Sequence, residues 1–381
     1  MQYRKFGKLD FEVPMLGFGC MRLPILDGDS AKIDEKKAIE MLRYGIDHGT
    51  TYIDTAYPYH KGNSEQLVGK ALKDGYRERV KLATKLPVWL ANSYEDFDKY
   101  LNEQLARLDT DWIDFYLLHS LDQESWDKVK NLGVLDFLDK ALADGRIKYA
   151  GFSFHDEFPV FKEIFDAYDW SFCQIQLNYM DENYQAGLKG LQYAAERNVA
   201  VVVMEPLKGG KLAMNPPENI QKIWDAADQK RSSVDWALRW LCNFPQVSVI
   251  LSGMSTMEQV MENIRIVEDA MPLSLTTQEL DMVHRVAEQY RSLTKVQCTS
   301  CEYCMPCPAG VDIPRNFSLY NDTYIYGNVD LPSHTYNNFL PEGKRASACV
   351  SCNVCETLCP QHIPISRHMK DVHARLSTKN K

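Results

Sequence analysis

The chain has 381 residues, is 45% hydrophobic and carries a formal charge of −9, so it can bury the core of one large domain and a smaller module. Its scattered lysines and arginines form no basic stripe for nucleic acid. Its longest aliphatic run, 199–204, is strand-sized and far too short to cross a bilayer.

Residues 2–14 predict a short hairpin turning at Gly7-Lys8-Leu9-Asp10 and ending at Pro14. Strand signals follow at 16–20, 51–53, 80–84, 112–118, 147–152, 172–177, 199–204 and 247–251. Helical patterns alternate with them near 34–48, 63–73, 93–107, 125–143, 156–167, 187–197, 219–242 and 256–267. Ser93 and Gly145 sit where a helix start and a helix stop are expected. Eight strands, each followed by a helix, predict an α/β fold of the (β/α)8 TIM-barrel type. The alternative, a doubly wound open sheet, calls for a glycine-rich turn after the first strand, and Gly17-Phe18-Gly19-Cys20 lacks its third glycine. The domain division expected is a barrel over 1–268, a connector over 269–297 with one helix at 277–293, and a cysteine module over 298–381.

That module holds eight of the eleven cysteines. Cys298-x2-Cys301-x2-Cys304-x2-Cys307-Pro308 recurs as Cys349-x2-Cys352-x2-Cys355-x3-Cys359-Pro360, with the tails VDIP and HIPI. A secreted disulfide scaffold spreads its cysteines, whereas tight C-x2-C runs behind a large domain point to metal. The opening MQYRKFGKLD has no apolar secretory core, and the expectation is a cytoplasmic protein. Cys20, Cys173 and Cys242 read as core residues, with Cys20 ending the first strand.

In a barrel of this kind the C-terminal tips of the strands converge on one mouth, where catalytic groups sit. Three consecutive tips carry Asp54, Lys85 and His119, and Tyr59 follows Asp54 across a proline turn. Singly each has a plainer reading, as a loop carboxylate, a solvated lysine or a core histidine; together they suit carbonyl reduction. A tyrosine with a free pKa of about 10 is a poor acid near neutrality. A nearby ammonium lowers that value, and a carboxylate keeps the ammonium charged. Tyr59 is therefore the expected general acid, with Lys85 and Asp54 tuning it and His119 orienting the substrate oxygen.

These stretches, YIDTAYPY, LATKLP and DFYLLHS, resemble the Asp, Tyr, Lys and His tetrad of the aldo-keto reductase family, and the resemblance covers residues 1–268. It implies NAD(H) or NADP(H) as coenzyme and a small carbonyl substrate. It also implies coenzyme contacts from Gly19, Cys20 and Met21, from Asp54, from Ser153 and Gln174 at the carboxamide, and from Met204, where many members stack a tyrosine. Pro206, Leu207, Gly209 and Lys211 match the pyrophosphate loop, and Glu262 and Asn263 match adenine contacts. The asparagine that commonly follows the serine is Phe154 here, with His155 beside it. Gly253 and Gln259 fall where NADP-preferring members carry cations, so NADH is expected to bind at least as well as NADPH. Tyr57, Trp89 and Leu121 are loop candidates for the pocket wall.

The cysteine repeat resembles the dicluster ferredoxin pattern, in which each fourth cysteine serves the other cluster, and the 41 residues between Cys307 and Cys349 imply a small, mostly α-helical ferredoxin-like domain. By that resemblance one [4Fe-4S] cluster takes Cys298, Cys301, Cys304 and Cys359, and the second takes Cys349, Cys352, Cys355 and Cys307. Two zinc sites are the alternative. Clusters pass single electrons and nicotinamide passes a hydride, so a flavin, a one-electron substrate route or a redox partner protein (a ferredoxin or flavoprotein) is needed to join them. No flavin motif is present in the sequence. The expected function is an iron–sulfur oxidoreductase acting on a carbonyl; the alternative is a non-catalytic redox sensor or an electron-transfer module that docks a partner enzyme.

Overall fold

A computed structural model of the chain describes residues 1–298, 304–359 and 363–377. Two compact units are present. The first is Met1–Met214 with Arg231–Leu280, and the second takes Asn215–Lys230 and the chain from Asp281 onward.

The first unit opens on an antiparallel hairpin, β1 (Tyr3–Lys5) and β2 (Glu12–Pro14). Next come β3 (Leu16–Gly19), α1 (Glu35–Asp47), β4 (Tyr52–Asp54), α2 (Ser64–Ala71), β5 (Lys81–Leu86) and α3 (Tyr94–Leu108). They are followed by β6 (Ile113–Leu121), α4 (Gln123–Asn131), α5 (Val134–Ala143), β7 (Ile147–Phe154) and α6 (Phe158–Asp166). The series continues with β8 (Phe172–Gln176), α7 (Gly187–Ala195), β9 (Ala200–Met204), α9 (Ser233–Cys242), β10 (Val247–Gly253) and α10 (Met257–Asp269), while α8 (Glu218–Asp225), between β9 and α9 in the chain, belongs to the second unit. Strands β3 to β10 close into one parallel barrel in chain order, with β10 against β3. This is the expected (β/α)8 architecture. Buried on both faces, β9 reads as a continuous apolar run rather than an alternating one, as parallel strands do.

The hairpin lies against barrel backbone. A Cβ on Gly7, whose φ is +57°, would stand 2.5 Å from Ala200 N and 2.6 Å from Asn198 O, so only glycine allows this turn so close an approach. The neighbouring Phe6 is fully buried, its ring 4.7 Å from Phe115 and 5.7 Å from Phe172. Burying such a ring contributes about 1.5–3 kcal/mol.

Two helices expected as single pieces are each broken. The pattern over 125–143 divides into α4 and α5 at Gly133, which sits at φ +86°. The pattern over 219–242 divides into α8 and α9 because Ser232 accepts the Asp235 N–H and starts a new helix there. At α3 the expected start is present, with Ser93 and Asp96 forming a capping box.

Helix α11 (Thr277–Leu293) leads into the later part of the second unit, whose helices are α12 (Ile313–Ile325), α13 (Asp330–Asn338), α14 (Val354–Leu358) and α15 (Ile365–Leu376). They enclose a core containing Phe317, Tyr336, Met369 and Val372. Buried Asn316 donates to Asp312 O and Lys344 O and accepts from Ala346 N at 2.9 Å, which fixes the approach to Cys349. Among the described residues no helix is long and apolar enough to cross a membrane.

Candidate functional site

Three adjacent strands bring the site together. Asp54 ends β4, Lys85 lies in β5 and His119 lies in β6, while Tyr59 opens a short 3-10 turn after Pro58. Lys85 is fully buried, and its ammonium donates to Asp54 Oδ1 at 2.6 Å and Thr55 O at 2.8 Å. Its third donor reaches Tyr59 Oη at a long 3.5 Å, so all three N–H directions have an acceptor. The β6–β7 register shifts between Leu118 and Leu121, and Ser120 takes a left-handed φ of 59° with its N–H on Ser153 Oγ at 2.7 Å. That irregularity falls at His119 and turns the end of the strand. The His119 ring stands edge-on to Tyr59 at 5.9 Å and 5.1 Å from Trp89.

Burial decides the protonation states. It holds the Tyr59 phenol above its ordinary value; Lys85 opposes that and Asp54 adds to it. Lys85 was expected to lower Tyr59, and its charge does act downward, but desolvation outweighs it. Burial works against the Lys85 ammonium too, yet the charges of Asp54 and Tyr59 prevail and its pKa is raised. The Asp54 carboxyl is lifted by burial, with Lys85 opposing. His119 is pushed well below the usual histidine value by burial, then by Lys85 and His155, so its imidazole is neutral. Its Nδ1 is buried with no hydrogen-bond partner. At neutral pH the site thus presents a protonated phenol, a buried ammonium and a neutral imidazole around one spot.

Sequence reasoning missed the support behind Lys85. Glu65, fully buried on α2, accepts from Thr84 Oγ1 at 2.7 Å, Gln104 Nε2 at 2.7 Å and Arg107 Nη1 at 3.2 Å. Gln104 also donates to Lys85 O at 3.0 Å and accepts from Tyr116 Oη at 2.8 Å. The available signal was two polar residues on the otherwise apolar inner faces of α2 and α3.

The nucleotide candidates stand at strand ends or just beyond them. Ser153 and Gln174 are buried in β7 and β8, and Gln174 Oε1 has no partner, an acceptor that suits an amide N–H of a nicotinamide. Gln174 Nε2 lies 3.5 Å from Met204 Sδ at the end of β9. Pro206, Leu207, Gly209 and Lys211 lie in the following loop, where Glu205, Lys208, Gly209 and Gly210 all take positive φ. Gly19, Cys20 and Met21 leave β3, with Cys20 N bonded to Asp54 O at 2.8 Å and Met21 exposed. Gly253 ends β10. On α10, Gln259 accepts from Ser255 N at 2.8 Å, Glu262 from Ser232 Oγ at 3.2 Å, and Asn263 donates to Ser252 Oγ at 3.0 Å. Of the pocket-wall candidates, Trp89 stands beside His119, Leu121 is buried, and Tyr57 packs on α3 with its hydroxyl on Glu103.

In the second unit, Cys307, Cys349, Cys352 and Cys355 line one pocket with Ile365 and Met369. Four soft sulfur donors around a cavity suit an iron–sulfur cluster. Among the described residues no three potential ligands close on the position of a single ion, so these sulfurs ring the pocket rather than meet at a point. Cys298, Cys304 and Cys359 pack at the edge of the same core; Cys301 lies outside the described residues.

Comparison with known proteins bears on both units. The Aldo/keto reductase family model matches residues 15–288, and the 4Fe-4S dicluster domain model matches residues 297–363. The chain is 26% identical to the uncharacterized oxidoreductase YqkF of Bacillus subtilis, over 70% of this chain and 90% of that one. It is 27% identical to methylglyoxal reductase YeaE of Escherichia coli, over 72% and 92%. A holo-form aldo-keto reductase of Bacillus halodurans superposes with a TM-score of 0.63 at 28% identity, over 75% of this chain and 96% of that one.

Proposed function

Because this chain belongs to the aldo/keto reductase family and carries a 4Fe-4S dicluster domain over residues 297–363, we propose that its barrel mouth reduces a small aldehyde or ketone with Tyr59 as general acid. The observation that carries this reading is the buried Lys85 ammonium held between Asp54 Oδ1 at 2.6 Å and Tyr59 Oη at 3.5 Å. NADH or NADPH, when bound, would supply the hydride and leave as NAD⁺ or NADP⁺. Tyr59 delivers its proton to the carbonyl oxygen as charge builds there, and Lys85 stabilises the phenolate left behind. Asp54 keeps Lys85 charged. His119, neutral, offers an N–H to the substrate oxygen and fixes the face presented for reduction. The carboxamide is assigned to Ser153 and Gln174. The activity of the Escherichia coli relative, a methylglyoxal reductase, supports the substrate class.

The domain division proposed is a barrel over 1–268, a helical connector over 269–297 and an iron–sulfur module over 298–381. The module is assigned two [4Fe-4S] clusters, one on Cys298, Cys301, Cys304 and Cys359 and the other on Cys349, Cys352, Cys355 and Cys307. It exchanges single electrons with a redox partner protein. Clusters of this kind suit a reducing compartment, here the cytoplasm.

Tyr59→Phe tests the reading. Loss of a general acid costs about 10² to 10⁴ in rate, so turnover of simple aldehydes should collapse while nucleotide affinity, read by fluorescence titration, stays unchanged. A variant keeping more than half of wild-type turnover removes Tyr59 from the mechanism.

A further inference from the structure

Arg22 follows β3 and reaches across two neighbouring strand ends. A Cβ placed on Gly253 would meet Arg22 Cδ at 3.1 Å and Arg22 Cβ and Cγ at 3.2 Å, and one on Gly209 would meet Arg22 Nη2 at 3.4 Å. The Arg22 arm therefore starts beyond the tip of β3, crosses the last residue of β10 and ends at the loop after β9. Glycines at 253 and 209 leave it that path.

Its base is fixed and its head is loose. Ser255 Oγ donates to Arg22 O at 2.7 Å, which pins the backbone to the segment entering α10. Among the described residues the guanidinium has one ion pair, with Glu205 at 3.7 Å, and the two side chains are 46% and 33% exposed. An exposed pair at that distance holds weakly. The neighbouring Lys208 differs: Asp181 grips it at 2.5 and 2.6 Å. Arg22 also borders a cavity of about 820 Å³ that runs along residues 255–258 and across to Lys37.

The loop chemistry adds a second constraint. Glu205, Lys208, Gly209 and Gly210 all sit at positive φ, and the Lys208 and Gly210 N–H groups are spent inside the loop, on Glu205 O at 3.0 Å and Leu207 O at 2.9 Å, so an anion held there calls on a side-chain donor. Glu205 nevertheless puts a carboxylate beside that loop. An incoming phosphate is repelled by Glu205 and attracted by the guanidinium that Glu205 holds.

Building on the nicotinamide-dinucleotide reading above, we infer that Arg22 is the residue that binds a coenzyme phosphate, with Glu205 as its resting counter-ion. Guanidinium matches phosphate with two parallel N–H donors and holds it more firmly than a lone carboxylate contact at 3.7 Å. Binding transfers Arg22 from Glu205 to the phosphate. Positions 253 and 259 carry no cation, and this one reaches the same strand end from a loop more than two hundred residues earlier in the chain.

The test is titration of the full-length protein with NADPH and with NADH, followed by tryptophan fluorescence at fixed ionic strength. Arg22→Gln should raise the Kd of NADPH at least tenfold, with Arg22→Lys recovering part of the loss. A loss confined to NADPH assigns Arg22 to the 2′-phosphate; an equal loss for NADH assigns it to the pyrophosphate. Glu205→Gln should tighten binding severalfold, and in an Arg22→Gln background that gain should vanish. A wild type that binds, together with an Arg22→Gln variant within twofold of it for both nucleotides, overturns this assignment alone. So does a Glu205→Gln variant that weakens binding. A wild type that binds neither nucleotide overturns the parent reading, and this one with it.

Discussion

Replacing Asp54 by asparagine isolates the charge that the site depends on. Asp54 and Lys85 are both buried and 2.6 Å apart. At an effective dielectric of about 20, two unit charges at that distance attract by about 6 kcal/mol. Desolvating them takes back several kcal/mol per ion, and removing one partner of such a pair costs about 3–5 kcal/mol. The amide oxygen of asparagine can still accept from Lys85, which puts the expected loss near the lower end, about 3 kcal/mol. The loss should depend on pH in a defined way. In the wild type the Lys85 pKa is raised, so its contribution is complete below the free lysine value and fades as pH rises through the folded one. Without the Asp54 charge, burial prevails and pulls Lys85 below the free value of about 10.4. The variant then carries an unpaired ammonium at neutral pH and is relieved of it in alkali. On the acid side, burial raises the Asp54 carboxyl, so the folded wild type regains stability as that group protonates and acidification does not narrow the gap. The stability gap should therefore close only as pH rises into the lysine range. Denaturant midpoints across pH read the gap, and steady-state kinetics should show kcat down by about 10²-fold or more. A variant within about 0.5 kcal/mol of wild type at pH 7, the range of an ordinary surface substitution, with kcat intact would refute the charged-pair account.

Two further outcomes follow from the same geometry. Burial raises Tyr59 and lowers His119, and the acid must be protonated to act, so kcat for reduction should stay level through neutral pH and fall only above about 10; an inflection between 7 and 8 would assign the proton to another group. Protein purified anaerobically should hold about eight irons per chain, as two four-iron clusters require. Since Cys307 lines the pocket of Cys349, Cys352 and Cys355, Cys307→Ala should remove the redox signal that Cys349→Ala removes; loss shared with Cys298→Ala instead means each motif closes its own cluster.

The barrel was legible because its signals are local. Each strand is a short apolar run and each helix an amphipathic repeat, and alternation alone implies the order that the closed sheet adopts. The broken helices were not, because the apolar period carries across both breaks. At Gly133 a backbone turn interrupts it, and at Ser232 a side chain caps the next helix. Neither event alters the hydrophobic pattern that the period is read from. The cysteine spacing was likewise legible, because ligand chemistry is written into consecutive residues.

The site itself divides along the same line. Asp54, Tyr59, Lys85 and His119 were identifiable because each lies at or just past its own strand signal, and neighbouring tips must meet in a barrel. The direction of the Tyr59 shift was not, because it is set by a balance between one near charge and the desolvation imposed by the whole mouth. Lys85 is a single residue 26 positions away, visible in the sequence. The burial comes from side chains on several strands, and no window of sequence contains them together. Arg22 is the extreme case: its arm crosses Gly253, 231 residues later, and its backbone oxygen accepts from Ser255, 233 residues later. A glycine at 253 looked like a missing cation because the space above it belongs to another part of the chain. Where a short side chain borders a charged ligand site, the residue that fills its volume has to be sought on the adjoining strand. β3 adjoins β10 only because the barrel closes.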